Sequence, residues 1–320
     1  AAERLSGVIS RTSLQPNERL TTAIGARVWL KREDLQPVRS YKIRGAYNLI
    51  SQLDDATRAA GVVCASAGNH AQGVAFACAR LGIRGRIFVP ATTPRQKRDR
   101  IRALGEGMID LVVTGDTYDE AAAAAVADAA VTGATLVPAF DHADTIVGQG
   151  TVVPEIVDQL GGAPDVLVVP VGGGGMIAGC LAWLSERHPG TRVIGAEPAE
   201  AASMTAALAA GGPVDLDVMD TFVDGAAVRR VGELTYATVA AHATELHQVP
   251  TGRICSEMLA LYQTEGIVSE PAGALAAASL GLFEVAPDAT VVVIVSGGNN
   301  DISRYSEIIE RSLVYEGRKH

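Results

Sequence analysis

The stretch "SYKIRGAYN", residues 40–48, sets Lys42 between an aromatic residue and an Ile-Arg-Gly step, at what reads as the start of a helix. A lysine amine attacks carbonyl carbon once it is deprotonated, and partial desolvation or the positive end of a helix dipole lowers its pKa toward that condition. Three other segments place small residues between an apolar strand and a helix. In "VVCASAGNHAQG" the strand ends at Ala65 and the helix begins near Asn69, with Ser66, Ala67 and Gly68 between them. Free amides at such a helix start suit a carboxylate or a phosphate, and a plain strand-to-helix turn capped by Ser66 or Asn69 accounts for the same residues.

In "VVPVGGGGMIAG" four consecutive glycines, Gly172, Gly173, Gly174 and Gly175, follow a strand and precede a helix. Without Cβ atoms the backbone can curl its N–H groups around an anion. The segment lacks the Lys-Ser/Thr of a nucleotide P-loop and the spacing of a dinucleotide fingerprint. A tight turn needs only one or two glycines, so four in a row read as a phosphate cup. In "VVVIVSGGNND" Ser296 closes a buried-type strand; its hydroxyl can exchange a hydrogen bond with a heteroatom, or serve a turn. An amine, a phosphate cup, an aromatic or apolar neighbour for a ring and a partner for a ring nitrogen are together what pyridoxal phosphate requires.

These residues need strands and helices to hold them. Short β-branched runs at 61–65, 86–90, 110–113 and 135–139 alternate with longer helical patterns, including the Ala-rich "DEAAAAAVADAAVTG". The alternation resumes with strands at 165–171, 191–197 and 290–296 and a helix over 176–187. This is the rhythm of open, mostly parallel sheets, and it predicts two three-layer α/β lobes. Ligands of such sheets collect outside the carboxyl ends of the strands, where the small-residue loops lie. The expected division is a large cofactor-binding domain, residues 1–52 plus 138–320, and a smaller inserted α/β domain, residues 53–137.

Bulk properties bound the function. The 320 residues are 48% apolar and carry a formal charge of −9, which disfavours a role built on binding the nucleic-acid backbone. The basic run "RQKRDRIR" at 95–102 has no interleaved aromatic residues and reads as a solvated helix face. No uncharged apolar run approaches the roughly 20 residues that span a bilayer. Cys64, Cys78, Cys180 and Cys255 lie far apart with no metal-ligand spacing, as reduced thiols of a cytoplasmic protein would. No metal site is expected from His142, His188, His242, His247 and His320.

"SYKIRGA", "SAGNHAQG", the tetraglycine after a strand, "DGAAVRRVG", "EPAGA" and the late "SGGN" occur in this order across essentially the whole chain. The set resembles the fold-type II pyridoxal phosphate enzymes, most closely the threonine dehydratases (threonine ammonia-lyases) of the serine/threonine dehydratase family. The resemblance implies an active site in the cleft between the lobes. Lys42 would hold the cofactor as a Schiff base, with Tyr41 packed on its ring where many relatives have Phe. Asn69 would bond its phenolic oxygen, Gly172 to Gly175 with the Met176 amide its phosphate, and Ser296 would face the pyridine nitrogen. Ser66, Ala67, Gly68 and His70 belong to the loop that receives the substrate carboxylate.

The implied reaction is β-elimination from L-threonine to 2-oxobutanoate and ammonia, for isoleucine synthesis. L-Serine dehydratase, 3-hydroxyaspartate dehydratase and serine racemase share the mechanism, and a non-catalytic phosphate-ligand binder is the rival from another class. Ala67 stands where the family's serine racemases have a serine acid/base, and a methyl group transfers no proton, so little racemisation is expected. His70 can instead position backbone. Glu270 before Pro271 marks a helix start or an active-site residue. Asp224 and Glu197 are candidates for a cation site of the kind some relatives have, with ligands unassigned. Long-form relatives append a regulatory domain; none is expected within this chain, which ends "VYEGRKH". A homo-oligomer, dimer or tetramer, is expected.

Overall fold

In the computed structural model, which describes residues 1–319, the β-branched runs pair into two sheets. The larger has six strands in the order Leu14–Pro16, Arg27–Arg32, Thr290–Val295, Val166–Pro170, Arg192–Pro198, Glu245–Val249. Only the first pair is antiparallel. Strand Val166–Pro170 is buried at every position, as it must be when a parallel sheet is covered on both faces. On one face Val28, Leu30, Val166, Val291 and Val293 pack with Ile254, Met258 and Leu261 of helix Thr251–Glu265 and Leu275 of helix Pro271–Ala278.

The smaller sheet is fully parallel, in the order Ile109–Val113, Gly85–Val89, Val62–Ala65, Thr135–Leu136. Cys64, Ile87 and Val89 on one face meet Val74, Ala75 and Cys78 of helix Asn69–Leu81. Val63 and Phe88 on the other meet Ala121 and Ala125 of the Ala-rich helix Tyr118–Thr132. That helix is bounded by a capping box, in which Thr117 and Glu120 satisfy each other's amides, and by Gly133 in the left-handed region, φ 72°.

The chain divides into a first unit, Ala1–Ser10 with Gln36–Gln149, holding the smaller sheet, and a second, Arg11–Leu35 with Gly150–His320, holding the larger. This differs from the division expected from sequence. Residues 36–52 go with the smaller sheet because Ala46, Tyr47, Leu49 and Ile50 of helix Lys42–Ile50 pack on Ala71, Val74 and Cys78 of helix Asn69–Leu81. Strand Arg27–Arg32 was not anticipated, since its charged end hides its pattern. Lys31, 0% exposed, donates to the Thr12 carbonyl (2.9 Å), Glu155 (2.7 Å) and Gln159 (3.0 Å), which offsets the cost of burying its charge.

The four cysteines are buried and none is in a disulfide. Burial pushes the Cys78 and Cys255 thiols up to about 12, which keeps them unreactive. Among the described residues no helix is long and apolar enough to cross a membrane. His320 lies outside the described residues.

Candidate active site

Helix Lys42–Ile50 starts directly after Tyr41, and no side chain caps it. Lys42 Nζ donates to the Ala139 carbonyl (3.0 Å) and sits 5.3 Å from the centroid of the Tyr41 ring. The neighbouring helix comes unusually close at Gly73, where a Cβ would lie 3.1 Å from the Lys42 carbonyl oxygen. A Cβ there would press on the backbone of the lysine itself, which would have to give by a few tenths of an ångström. Helix Asn69–Leu81 therefore brings its first turn, Asn69 and His70, to the Lys42 side of the first unit.

Ser66 accepts from the Gly68 amide (3.2 Å), so its hydroxyl orders the turn ahead of the helix. The N-cap is Gly68, which has no side chain to accept from the first-turn amides. Neither Ser66 nor Asn69 is the cap, and the start of this helix suits an external anion. Ala67 is partly buried against the core of the smaller sheet. His70 is 4% exposed, and its Nε2 lies 2.8 Å from the Val137 carbonyl. Its pKa is pushed down to about 4, first by burial and then by the charge of Lys42, against a smaller upward pull from the Val137 bond. The ring is neutral at physiological pH.

In the second unit, strands Val166–Pro170 and Thr290–Val295 run parallel side by side, so the tetraglycine and Ser296 leave neighbouring carboxyl ends. Helix Gly175–Arg187 begins after Gly174, whose φ of +87° is costly for any residue with a Cβ. No side chain caps this helix either. Thr235 Oγ1 donates to the Gly173 carbonyl (2.7 Å), which fixes the turn by its acceptor and leaves its amides to serve an anion. Met176 is buried in the first turn. Ser296, 3% exposed, donates to the Ala272 carbonyl (3.1 Å).

Glu270 is the N-cap of helix Pro271–Ala278, with Pro271 at its first position, and the Glu270 amide donates to the Gly297 carbonyl (3.1 Å). Glu197 is fully buried and accepts from the Met204 amide (2.7 Å), the Thr205 amide (2.9 Å) and Thr205 Oγ1 (2.6 Å). Burial raises its pKa against the pull of those three donors. It is thus committed to the start of helix Ser203–Ala210, and Asp224 lies 3.7 Å from Arg304. Among the described residues no three His, Cys, Asp or Glu side chains are grouped to hold a metal ion.

Each unit carries groups whose chemistry fits part of pyridoxal phosphate: the first an amine beside an aromatic ring, the second a glycine turn running into an uncapped helix and a buried hydroxyl at the next strand end. Sequence reasoning missed Ala139, Val137, Thr235 and Gly73. The first three act through backbone carbonyls or a hydroxyl that carry no motif. Gly73 had one signal, a glycine four residues into a helix that opens with Asn69.

A family model described as pyridoxal-phosphate dependent enzyme matches residues 5–297. The chain is 60% identical over 322 residues to L-threonine dehydratase biosynthetic IlvA of Mycobacterium tuberculosis (strain ATCC 25618 / H37Rv), covering 100% of this chain and 75% of that protein. Its fold is similar to the processed form of threonine deaminase isoform 2 from Solanum lycopersicum, with a TM-score of 0.90, 38% identity and coverage of 95% of this chain and 89% of that one. It is also similar to maize serine racemase, with a TM-score of 0.88, 29% identity and coverage of 98% and 96%.

Proposed function

This chain belongs to the pyridoxal-phosphate dependent enzymes, and we propose that within that family it is the ammonia-lyase that converts L-threonine to 2-oxobutanoate and ammonia, in isoleucine biosynthesis. One observation carries the reading: a lysine amine held on a carbonyl at the start of an uncapped helix, in a chain whose whole length aligns with 75% of an L-threonine dehydratase.

When bound, pyridoxal phosphate supplies an aldehyde for imine exchange with the substrate amine and a conjugated ring that takes up the electron pair left at the substrate α-carbon. The Gly172 to Gly175 turn and the Met176 amide would hold the phosphate, at the positive end of their helix. Tyr41 would pack against its ring, and Asn69 would bond its phenolic oxygen. Ser296, which now donates to Ala272, must redirect its proton to bond an unprotonated pyridine nitrogen, or accept from a protonated one. Being neutral, it stabilises a pyridinium less than a carboxylate would, which favours prompt elimination. Ser66, Ala67, Gly68 and His70 form the loop that receives the substrate carboxylate. Lys42 Nζ removes the α-proton as a base. The α-proton and β-hydroxyl leave as water, and hydrolysis of the released enamine gives the oxo acid and ammonia.

The Ala67 methyl offers no proton on the opposite face, so D-serine should form from L-serine at least about 100-fold more slowly than pyruvate, the contribution of one positioned acid. The same reading makes the chain a cytoplasmic homo-oligomer, dimer or tetramer, which light scattering on the purified protein tests. The deciding experiment is a substrate panel assayed for oxo-acid release with wild type and Lys42→Ala. Wild type should be yellow and prefer L-threonine by kcat/KM. Lys42→Ala should lose the visible band and at least about 10³-fold in kcat. Activity retained without that lysine refutes the mechanism, and a preference for L-serine refutes the substrate.

A further inference from the structure

Two side chains of the first unit converge on one short segment. His70 meets the carbonyl of Val137, and Lys42 meets the carbonyl of Ala139 two residues later. A carbonyl can only accept, so Nε2 of the neutral ring carries the hydrogen and Nδ1 the lone pair. The segment leaves strand Thr135–Leu136 with one more ladder bond, from the Val137 amide to the Val63 carbonyl (2.9 Å). Pro138 then follows, which has no amide to donate and a locked φ, and which restricts Val137 as well. Few dihedrals are left free between the two carbonyls. With the Pro138 carbonyl also accepting from Thr145 Oγ1 (3.4 Å), holding the first restricts where the second can point.

We propose that His70 is a positioning residue for Lys42: its ring holds the Val137 carbonyl and, through the stiff Val137-Pro138-Ala139 segment, the Ala139 carbonyl on which the lysine amine rests. This rests on the reading of Lys42 as the covalent lysine. Such a lysine is released in every turnover and must return, so an amine that swings away from its acceptor forms the cofactor bond slowly in either direction. Burial of the ring and the nearby lysine charge both favour the neutral form, whose single N–H is then committed to Val137. A ring turned to Val137 also has its donor committed, which separates this role from side-chain contact with the substrate carboxylate.

The test compares full-length holoenzymes carrying His70→Gln, His70→Asn and His70→Leu. The Gln amide reaches about as far as Nε2; the Asn amide falls at the reach of Nδ1 and cannot bond Val137; Leu has bulk and no donor. Three quantities are read: the rate at which the visible band forms when apoprotein meets pyridoxal phosphate, kcat and KM for L-threonine, and the melting temperature. His70→Asn and His70→Leu should slow band formation and lower kcat by about 10- to 100-fold with KM little changed, the usual cost of misplacing a reacting group by a fraction of an ångström to an ångström. His70→Gln should recover most of both. Should one of the two impaired variants fail to fold, the other still carries the comparison with His70→Gln.

Equal band-formation rates in all folded variants would reduce His70 to a packing residue and overturn the proposal. A rise in KM at constant kcat would make the ring a substrate contact, and also overturn it. The covalent-lysine reading fails separately, on retention of the visible band by Lys42→Ala.

Discussion

At the scale of single residues, chemistry here depends on where a proton can stay. Lys42 has its amine on a backbone carbonyl, and His70, one hydrogen bond from the same segment, is held neutral by burial and by that lysine. The folded-state pKa of His70 is depressed from 6.5 to about 4, so its stabilising contribution is complete above pH 6.5 and is lost as pH falls through 4. Unfolding free energy should drop by on the order of 3 kcal/mol more in wild type than in His70→Gln across that interval. Urea unfolding of the two apoproteins at stepped pH measures it; parallel curves would show that burial does not perturb this ring.

At the scale of elements, the recurring device is a helix whose start is served from elsewhere. Helices Asn69–Leu81 and Gly175–Arg187 begin at glycines with no capping side chain, which leaves their amides to ligands. Helix Ser203–Ala210 also lacks a cap at Ala202, and here the protein supplies one from the end of strand Arg192–Pro198, the buried carboxylate of Glu197. Its Met204 lies behind the glycine turn, with the methyl 2.6 Å from where a Gly174 Cβ would stand. Removing that carboxylate leaves two amides unpaired in the interior. Glu197→Ala should therefore lower stability by roughly 1–3 kcal/mol, with Glu197→Gln between it and wild type. The same change should weaken cofactor retention. Denaturant melts and a cofactor titration read the two effects, and unchanged affinity in a destabilised Glu197→Ala would uncouple this helix from the glycine turn.

At the scale of the whole molecule, two mostly parallel sheets each present small-residue loops at their strand ends, and only the native chain can bind what those loops hold. Binding to the native state stabilises by mass action, about 2.7 kcal/mol at a free cofactor concentration 100-fold above Kd. Stripping the cofactor should lower the melting temperature, re-addition should restore it, and Lys42→Ala should respond less at the same concentration. Thermal unfolding of wild type with and without pyridoxal phosphate tests this, and identical melts at saturating cofactor would contradict it.

The strand rhythm and the helix starts at Lys42, Asn69 and the tetraglycine were legible in the sequence, because periodicity and glycine content act over a few neighbouring residues. The strand Arg27–Arg32 and the unit that claims the lysine helix were not, since both depend on burial against distant chain. Lys31 finds Glu155 across 124 positions, Lys42 finds Ala139 across 97, and His70 finds Val137 across 67. A backbone carbonyl has no letter of its own in a sequence. Residue type alone settles which groups are able to react, and only the folded chain decides which carbonyl each of them faces, because that choice is made by packing between segments far apart in the chain.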